Sequence, residues 1–97
     1  MQPPPSALDE FAVVVWSPLD SRHTRTGSTK HTVRGRDLGT PAALAICRDA
    51  AANAFYLFYC DSDWTVLTDT FHESLSGAKS QAEYEFAGVD ATWLAAT

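Results

Sequence analysis

The stretch "DTFHES", residues 69–74, sets Asp69, Thr70, His72, Glu73 and Ser74 within six positions. That mixture is the raw material of general acid–base work. It is equally the raw material of a helix start, where Thr70 and Glu73 satisfy free backbone amides, and capping is the reading adopted here. Cys60 beside Asp61, with His72 a dozen residues on, supplies the parts of a thiol–imidazole pair. An adjacent carboxylate disfavours the thiolate and nothing marks an oxyanion hole, so Cys60 reads as a buried structural residue. His23, His31 and His72 lie too far apart in the chain to predict one metal site, and neither CxxC nor HExxH occurs. Asp61, Asp63 and Asp69 lack the glycine and terminal glutamate of a calcium loop, so the Asp-Ser-Asp turn reads as a solvated bend. Glycine loops that cradle phosphate are missing. The expectation is a chain with no catalytic residues, no metal and no cofactor.

Charge is distributed unevenly. Residues 21–36 hold Arg22, Arg25, Lys30, Arg34 and Arg36 without a single acid, within a chain of formal net charge -5. Such a block suits phosphate backbones or an acidic protein surface. It is rich in Ser, Thr and Gly and interleaves no aromatic for base stacking, so it reads first as a solvated loop. Nucleic-acid binding through residues 22–36 is therefore a trailing alternative.

With 97 residues, 45% of them hydrophobic, one soluble domain with one core is expected. No run of ~18 apolar residues could cross a bilayer, and "MQPPPSALDE" has neither the basic flank nor the apolar stretch of a signal peptide. Cytoplasmic residence follows as an expectation, and with it two reduced cysteines, Cys47 and Cys60, behaving as small hydrophobes.

Residues 1–10, with three consecutive prolines, read as a disordered, extended lead-in to a single domain over 11–97. "FAVVVW", 11–16, is a strand stopped by Pro18. Residues 17–40 show no pattern and read as a long basic loop. "AALAICRD" and "AFYLFYCD" form a hairpin closed near Asn53; the alanines of the first arm also suit a helix, but eight residues is short for one. Asp61, Ser62 and Asp63 make the next turn, and "WTVLTD" a further strand. At 100° per residue, Ala78, Ala82, Phe86 and Val89 fall within about 60° of Leu75, which predicts a helix of about 14 residues, capped by Ser74 and ended at Gly88. Gly77 is its one discordant residue. The fold class is α+β: an antiparallel sheet of about four strands with one C-terminal helix across one face.

Alternation on the second hairpin arm sends Phe55, Leu57 and Tyr59 to one side and Tyr56, Phe58 and Cys60 to the other. Leu44 and Ile46 register with the first set, which makes that side the helix-covered core. A single helix ~21 Å long shields one face of a four-stranded sheet and no more. Left bare, Tyr56, Phe58 and Trp64 would expose about 450–750 Å², more than monomers usually tolerate. Three covers are possible: the 17–40 segment, a second copy of the chain, or another protein. The loop is polar, so the prediction is a protein-binding face of Tyr56, Phe58 and Trp64 flanked by Asp61 and Asp63, with a homodimer the simplest solution. The competing account fills that side with strand 11–16 and the tail bearing Trp93.

The succession "FYLFYCDSDW", "DTFHESL", "AKSQAEYEF" and a closing tryptophan resembles a group of short bacterial proteins of unassigned activity, over roughly residues 43–93. The resemblance implies an α+β fold and transfers no catalytic residue. By analogy of size and build, toxin-neutralising immunity proteins are of this kind. The leading expectation is a non-catalytic protein-interaction module, immunity-like or regulatory, with an acidic face of Asp61, Asp63, Glu83 and Glu85 to steer a basic partner. The runner-up is a small enzyme using Asp69, His72 and Glu73.

Overall fold

The computed structural model of the chain describes residues 1–27, 32–33, 36–37 and 39–96. In chain order its elements are β1 (Ala7–Leu8), β2 (Phe11–Pro18), β3 (Thr24–Arg25), β4 (Thr32–Val33), β5 (Arg36–Asp37), β6 (Ala43–Asp49), β7 (Ala54–Cys60), β8 (Val66–His72), α1 (Leu75–Glu85), β9 (Phe86–Ala87), a 3-10 turn (Val89–Ala91) and β10 (Leu94–Ala95). The fold is α+β with one α-helix among the described residues, and its main sheet is antiparallel. That sheet has six strands, not four. Four are long, in the order β2-β6-β7-β8; β1 and β10 add short pairings along the outer edge of β2.

The hairpin of β6 and β7 closes over residues 50–53. Asp49 Oδ1 accepts the Ala52 amide at 3.1 Å, and Asn53 takes a positive φ of 50°, which asparagine tolerates better than most residues. Its register sets Leu44 against Tyr59 and Ile46 against Leu57. These four side chains meet Ala78, Ala82, Phe86 and Val89 in a core beneath α1, all of them buried. The alanine-rich arm is thus a strand because pairing with β7 buries its leucine and isoleucine, outweighing its helical propensity.

The opposite face is closed by the chain itself. Leu8, Val13, Trp16, Ala43, Ala45, Cys47, Phe58, Cys60 and Trp64 form a second buried cluster, with Phe11, Tyr56, Val66 and Ala96 packed against it. A bulge in β2 makes this possible. Val13 opposes Cys47 and Val15 opposes Ile46, so Val14 is an extra residue and both Val13 and Trp16 reach the second face despite a separation of three. The Val14 carbonyl accepts the Ala96 amide at 3.1 Å, tying the chain beyond β10 to the bulge. Trp64 comes from the other side. Asp61 Oδ1 accepts the amides of Asp63 and Thr65, each at 2.9 Å, and Trp64 adopts φ 64°. The strand expected from residue 64 therefore begins at Val66, and the indole of Trp64 meets that of Trp16 edge-on at 5.6 Å. The requirement for a foreign cover over this face is overturned. Trp93, expected as a possible filler here, packs with the helix-side core instead.

Other expectations also change. Residues 1–10 are seated: the Trp64 indole donates to the Gln2 carbonyl, the Val13 amide to the Ser6 carbonyl, and Leu8 is buried. Within 17–40, β2 runs on to Pro18, β3 pairs with β9, and β4 pairs with β5. Ser74 caps α1 as predicted, accepting the Gly77 amide at 3.0 Å. The helix ends three residues before Gly88, because Phe86 and Ala87 leave it to pair with Arg25 and Thr24. Gly88 then turns with φ 102°, and a Cβ there would lie 2.7 Å from the Arg22 carbonyl oxygen, so this position requires glycine.

Because Phe58 is 1% exposed and Phe71, on β8, 54% exposed, truncating the two rings should have opposite consequences for the fold. Phe58→Ala is expected to cost about 3–5 kcal/mol and Phe71→Ala under about 1 kcal/mol in urea denaturation. Equal losses would contradict the closure of the second face.

Candidate functional site

The five residues assigned to partner binding do not form one surface. Phe58 and Trp64 belong to the interior. Asp61 is consumed by its turn, where its carboxylate holds two backbone amides. Tyr56 is half-buried and Asp63 exposed. The acidic face also loses two members. Glu85 is 2% exposed, and the Glu83 carboxylate is turned back on the chain, accepting the amides of Gly88 at 2.8 Å and Asp90 at 3.0 Å.

What stays open lies along β8, the last strand of the main sheet. Its partner on one side is β7, with Tyr56 opposite Phe71 and Phe58 opposite Asp69. Tyr56 is the hub of an aromatic row: stacked with Phe11 at 4.9 Å, parallel to Phe58 at 5.7 Å, and edge-on to Phe71 at 5.5 Å. Phe58 anchors this row in the core and Phe71 carries it into solvent. Asp63, Asp69 and Glu73, all exposed, lie before, within and just after the same strand. Phe71 was not singled out from the sequence. Its signal was positional: it shares a face with Asp69 on what proves to be an edge strand.

The acid–base candidates separate. Asp69 and His72, three apart on β8, point to opposite faces of the sheet, Asp69 with Phe58 and His72 with Phe55. His72 Nε2 hydrogen-bonds Thr70 Oγ1 at 2.7 Å, and burial holds its pKa below the ordinary value, partly countered by Glu85. Thr70 therefore serves His72 and the cap falls to Ser74.

Two polar clusters were invisible in the sequence. Under α1, the buried Tyr59 hydroxyl donates to Glu85 Oε2, which also accepts Gln81 Nε2 at 3.1 Å. Burial, reinforced by the Glu85 carboxylate, pushes the Tyr59 phenol well above its usual range, so it is a permanent donor rather than an acid. The second cluster links Ser17, Thr92, His23 and Asp20. Thr92 Oγ1 lies 2.7 Å from Ser17 Oγ and 2.8 Å from His23 Nε2, and His23 Nδ1 lies 3.5 Å from Asp20 Oδ1. It has the residue types of a hydrolytic relay with the wrong proton arrangement. The Asp20 amide donates to Nδ1 at 3.0 Å, so the neutral ring carries its hydrogen on Nε2 and cannot take one from Thr92. Thr92 instead donates to the Val89 carbonyl, and the cluster works as a clasp between β2 and the 3-10 turn.

Cys47 and Cys60 are fully buried and free. Cys47 opposes Tyr56 while Cys60 stands four residues further along β7, ~13 Å away at strand spacing and out of disulfide reach. Burial pushes both thiols up to about 12, Cys60 aided by Asp61. Among the described residues no group of three His, Cys, Asp or Glu side chains could hold a metal, and no helix is long and apolar enough to cross a membrane. In the basic segment, Arg22 is bound to Asp20, its Nη2 2.8 Å from Oδ2; Lys30 and Arg34 and the side chain of Arg36 lie outside the described residues. No protein family, no characterised protein and no solved structure matches the chain detectably.

Tyr59→Phe removes the phenolic donor from a buried carboxylate and is expected to cost about 1–3 kcal/mol, measured by urea denaturation. For the cysteines the sign follows from a raised folded pKa: the stability held by the neutral thiols is complete below the ordinary value of 9.0 and is lost as pH rises toward about 12. Iodoacetamide at pH 8 should accordingly label neither thiol in the folded chain and both in urea, read by mass spectrometry.

Proposed function

We propose that this chain is a non-catalytic protein-interaction module whose contact region is the free edge of β8, where an extended basic segment of a partner adds as the next strand. The single observation that carries this reading is Phe71. A ring 54% exposed stands on the last strand of the sheet, packed against Tyr56 and backed by the core through Phe58. An edge strand offers unpaired backbone donors and acceptors, and natural proteins usually protect such an edge. Strand addition uses those groups for affinity and alternate side chains for selection. Here selection would come from Phe71, which offers apolar contact, and from Asp63, Asp69 and Glu73, which favour positive charge.

The same acids argue for a foreign strand over a second copy of this chain. Antiparallel pairing of β8 with a second copy sets Asp69 opposite Glu73 when the register centres on Phe71 and Asp69 opposite Asp69 when it centres on Asp69, like-charge juxtapositions that destabilise paired strands. The immunity-like or regulatory role expected from the sequence fits the class of this reading, with the contact face moved from the buried pair Phe58 and Trp64 to Phe71 and Tyr56.

A short peptide of alternating lysine and valine should slow amide hydrogen exchange along β8, whereas its glutamate–valine counterpart should not. Phe71→Ser should weaken the lysine peptide about fivefold or more while leaving the melting transition in place. Absence of protection on β8, or light scattering showing a dimer whose β8 amides are already protected, would overturn the proposal.

A further inference from the structure

Most acidic side chains in this protein are occupied in holding the fold. Asp20 binds Arg22, Asp49 and Asp61 accept turn amides, Glu83 accepts the amides of Gly88 and Asp90, and Glu85 meets Tyr59 and Gln81. Asp69 and Glu73 hold nothing: among the described residues neither carboxylate has an ion-pair or hydrogen-bond partner. They flank Phe71, each two positions away, with Asp69 on the same face of β8 at ~6.8 Å by strand spacing. Arg48, the one cation of the four long strands, cannot serve them. It stands opposite Phe55, on the helix-covered side of the sheet.

The ring between these acids is held but open. Tyr56 meets Phe71 edge-on, with ring planes at 70°, and Phe11 stacks on Tyr56 in turn, yet Phe71 stays 54% exposed. An aromatic face attracts a cation. A guanidinium is planar and weakly hydrated, so it lies flat on a ring while the donors at its rim reach a carboxylate alongside. An ammonium is a compact, strongly hydrated point charge and gains less from the same pair of partners. An apolar side chain would cover the ring and leave both carboxylates without a counter-charge.

We infer that Phe71, with Asp69 and Glu73 on either side, is an arginine-reading site, the guanidinium of an incoming segment stacking on the ring and donating to the flanking carboxylates. This rests on the strand-addition reading of β8 and narrows its basic partner to one that presents arginine at this position.

The test titrates the full chain with two peptides of equal length, one alternating arginine and valine, the other lysine and valine, with β8 amide exchange read for both. The arginine peptide should bind about fivefold more tightly. Its side-chain proton resonances should move upfield on binding, the signature of a position over a ring. Phe71→Leu keeps an apolar side chain and should erase both the preference and the upfield shift while both peptides still protect β8. Asp69→Asn should reduce the preference. Protection of β8 by both peptides with equal affinity overturns the arginine assignment alone, as does a preference that survives Phe71→Leu. Protection by neither peptide overturns the strand-addition reading and this inference with it.

Discussion

Strand β7 carries large apolar side chains on both faces, Leu57 and Tyr59 on one and Tyr56 and Phe58 on the other, and the described residues hold a single α-helix to lay across the sheet. One face is settled by α1. The other has to bury aromatics of roughly 150–250 Å² each; for Phe58, Trp16 and Trp64 that is on the order of ten kcal/mol of hydrophobic free energy. A small domain has about that much net stability in total. Closing the second face is therefore a condition for folding.

The closure is made with small devices. The bulge at Val14 keeps both Val13 and Trp16 facing inward, the positive φ of Trp64 swings its indole beneath the sheet, and β1 and β10 pair along the outer edge of β2. Both of those short strands protect the same side of the sheet. The consequence is an asymmetric molecule. One edge is covered by two pairings, and at the other β8 has β7 as its paired strand among the described residues, beside Phe71. Buried polar groups follow the same economy: Glu85 under α1 is met by Tyr59 and Gln81, and Ser17 by Thr92, so side chains resembling catalytic sets are used to fasten one element to another.

Several parts of the fold were legible because they depend on neighbours in the chain. The hairpin register that pairs Leu44 with Tyr59 follows from alternation and a short turn. The Ser74 cap and the buried Ala78 and Ala82 follow from helical spacing. Glu85 shows where such reasoning stops. It lies about 80° from Leu75, just outside the apolar stripe, and its charge placed it in solvent by residue type. It is buried because Tyr59, on another element, donates to it. The contact site was misplaced for a related reason: aromatic density marked Phe58 and Trp64, which density alone assigns to a core as readily as to a surface.

From local pattern alone came the α+β class, the four long strands, the capped helix and the two-faced apolar character of β7, all consequences of side-chain period and turn chemistry within a few residues. Tertiary structure decided which face the chain closes by itself, which strand is left at the edge, and where the first residues are fastened. Each of those depends on segments far apart in sequence: Gln2 with Trp64, Ser17 with Thr92, Trp16 with Leu94. No periodicity encodes such pairs, because their partners are chosen by the shape the whole sheet takes once it curls.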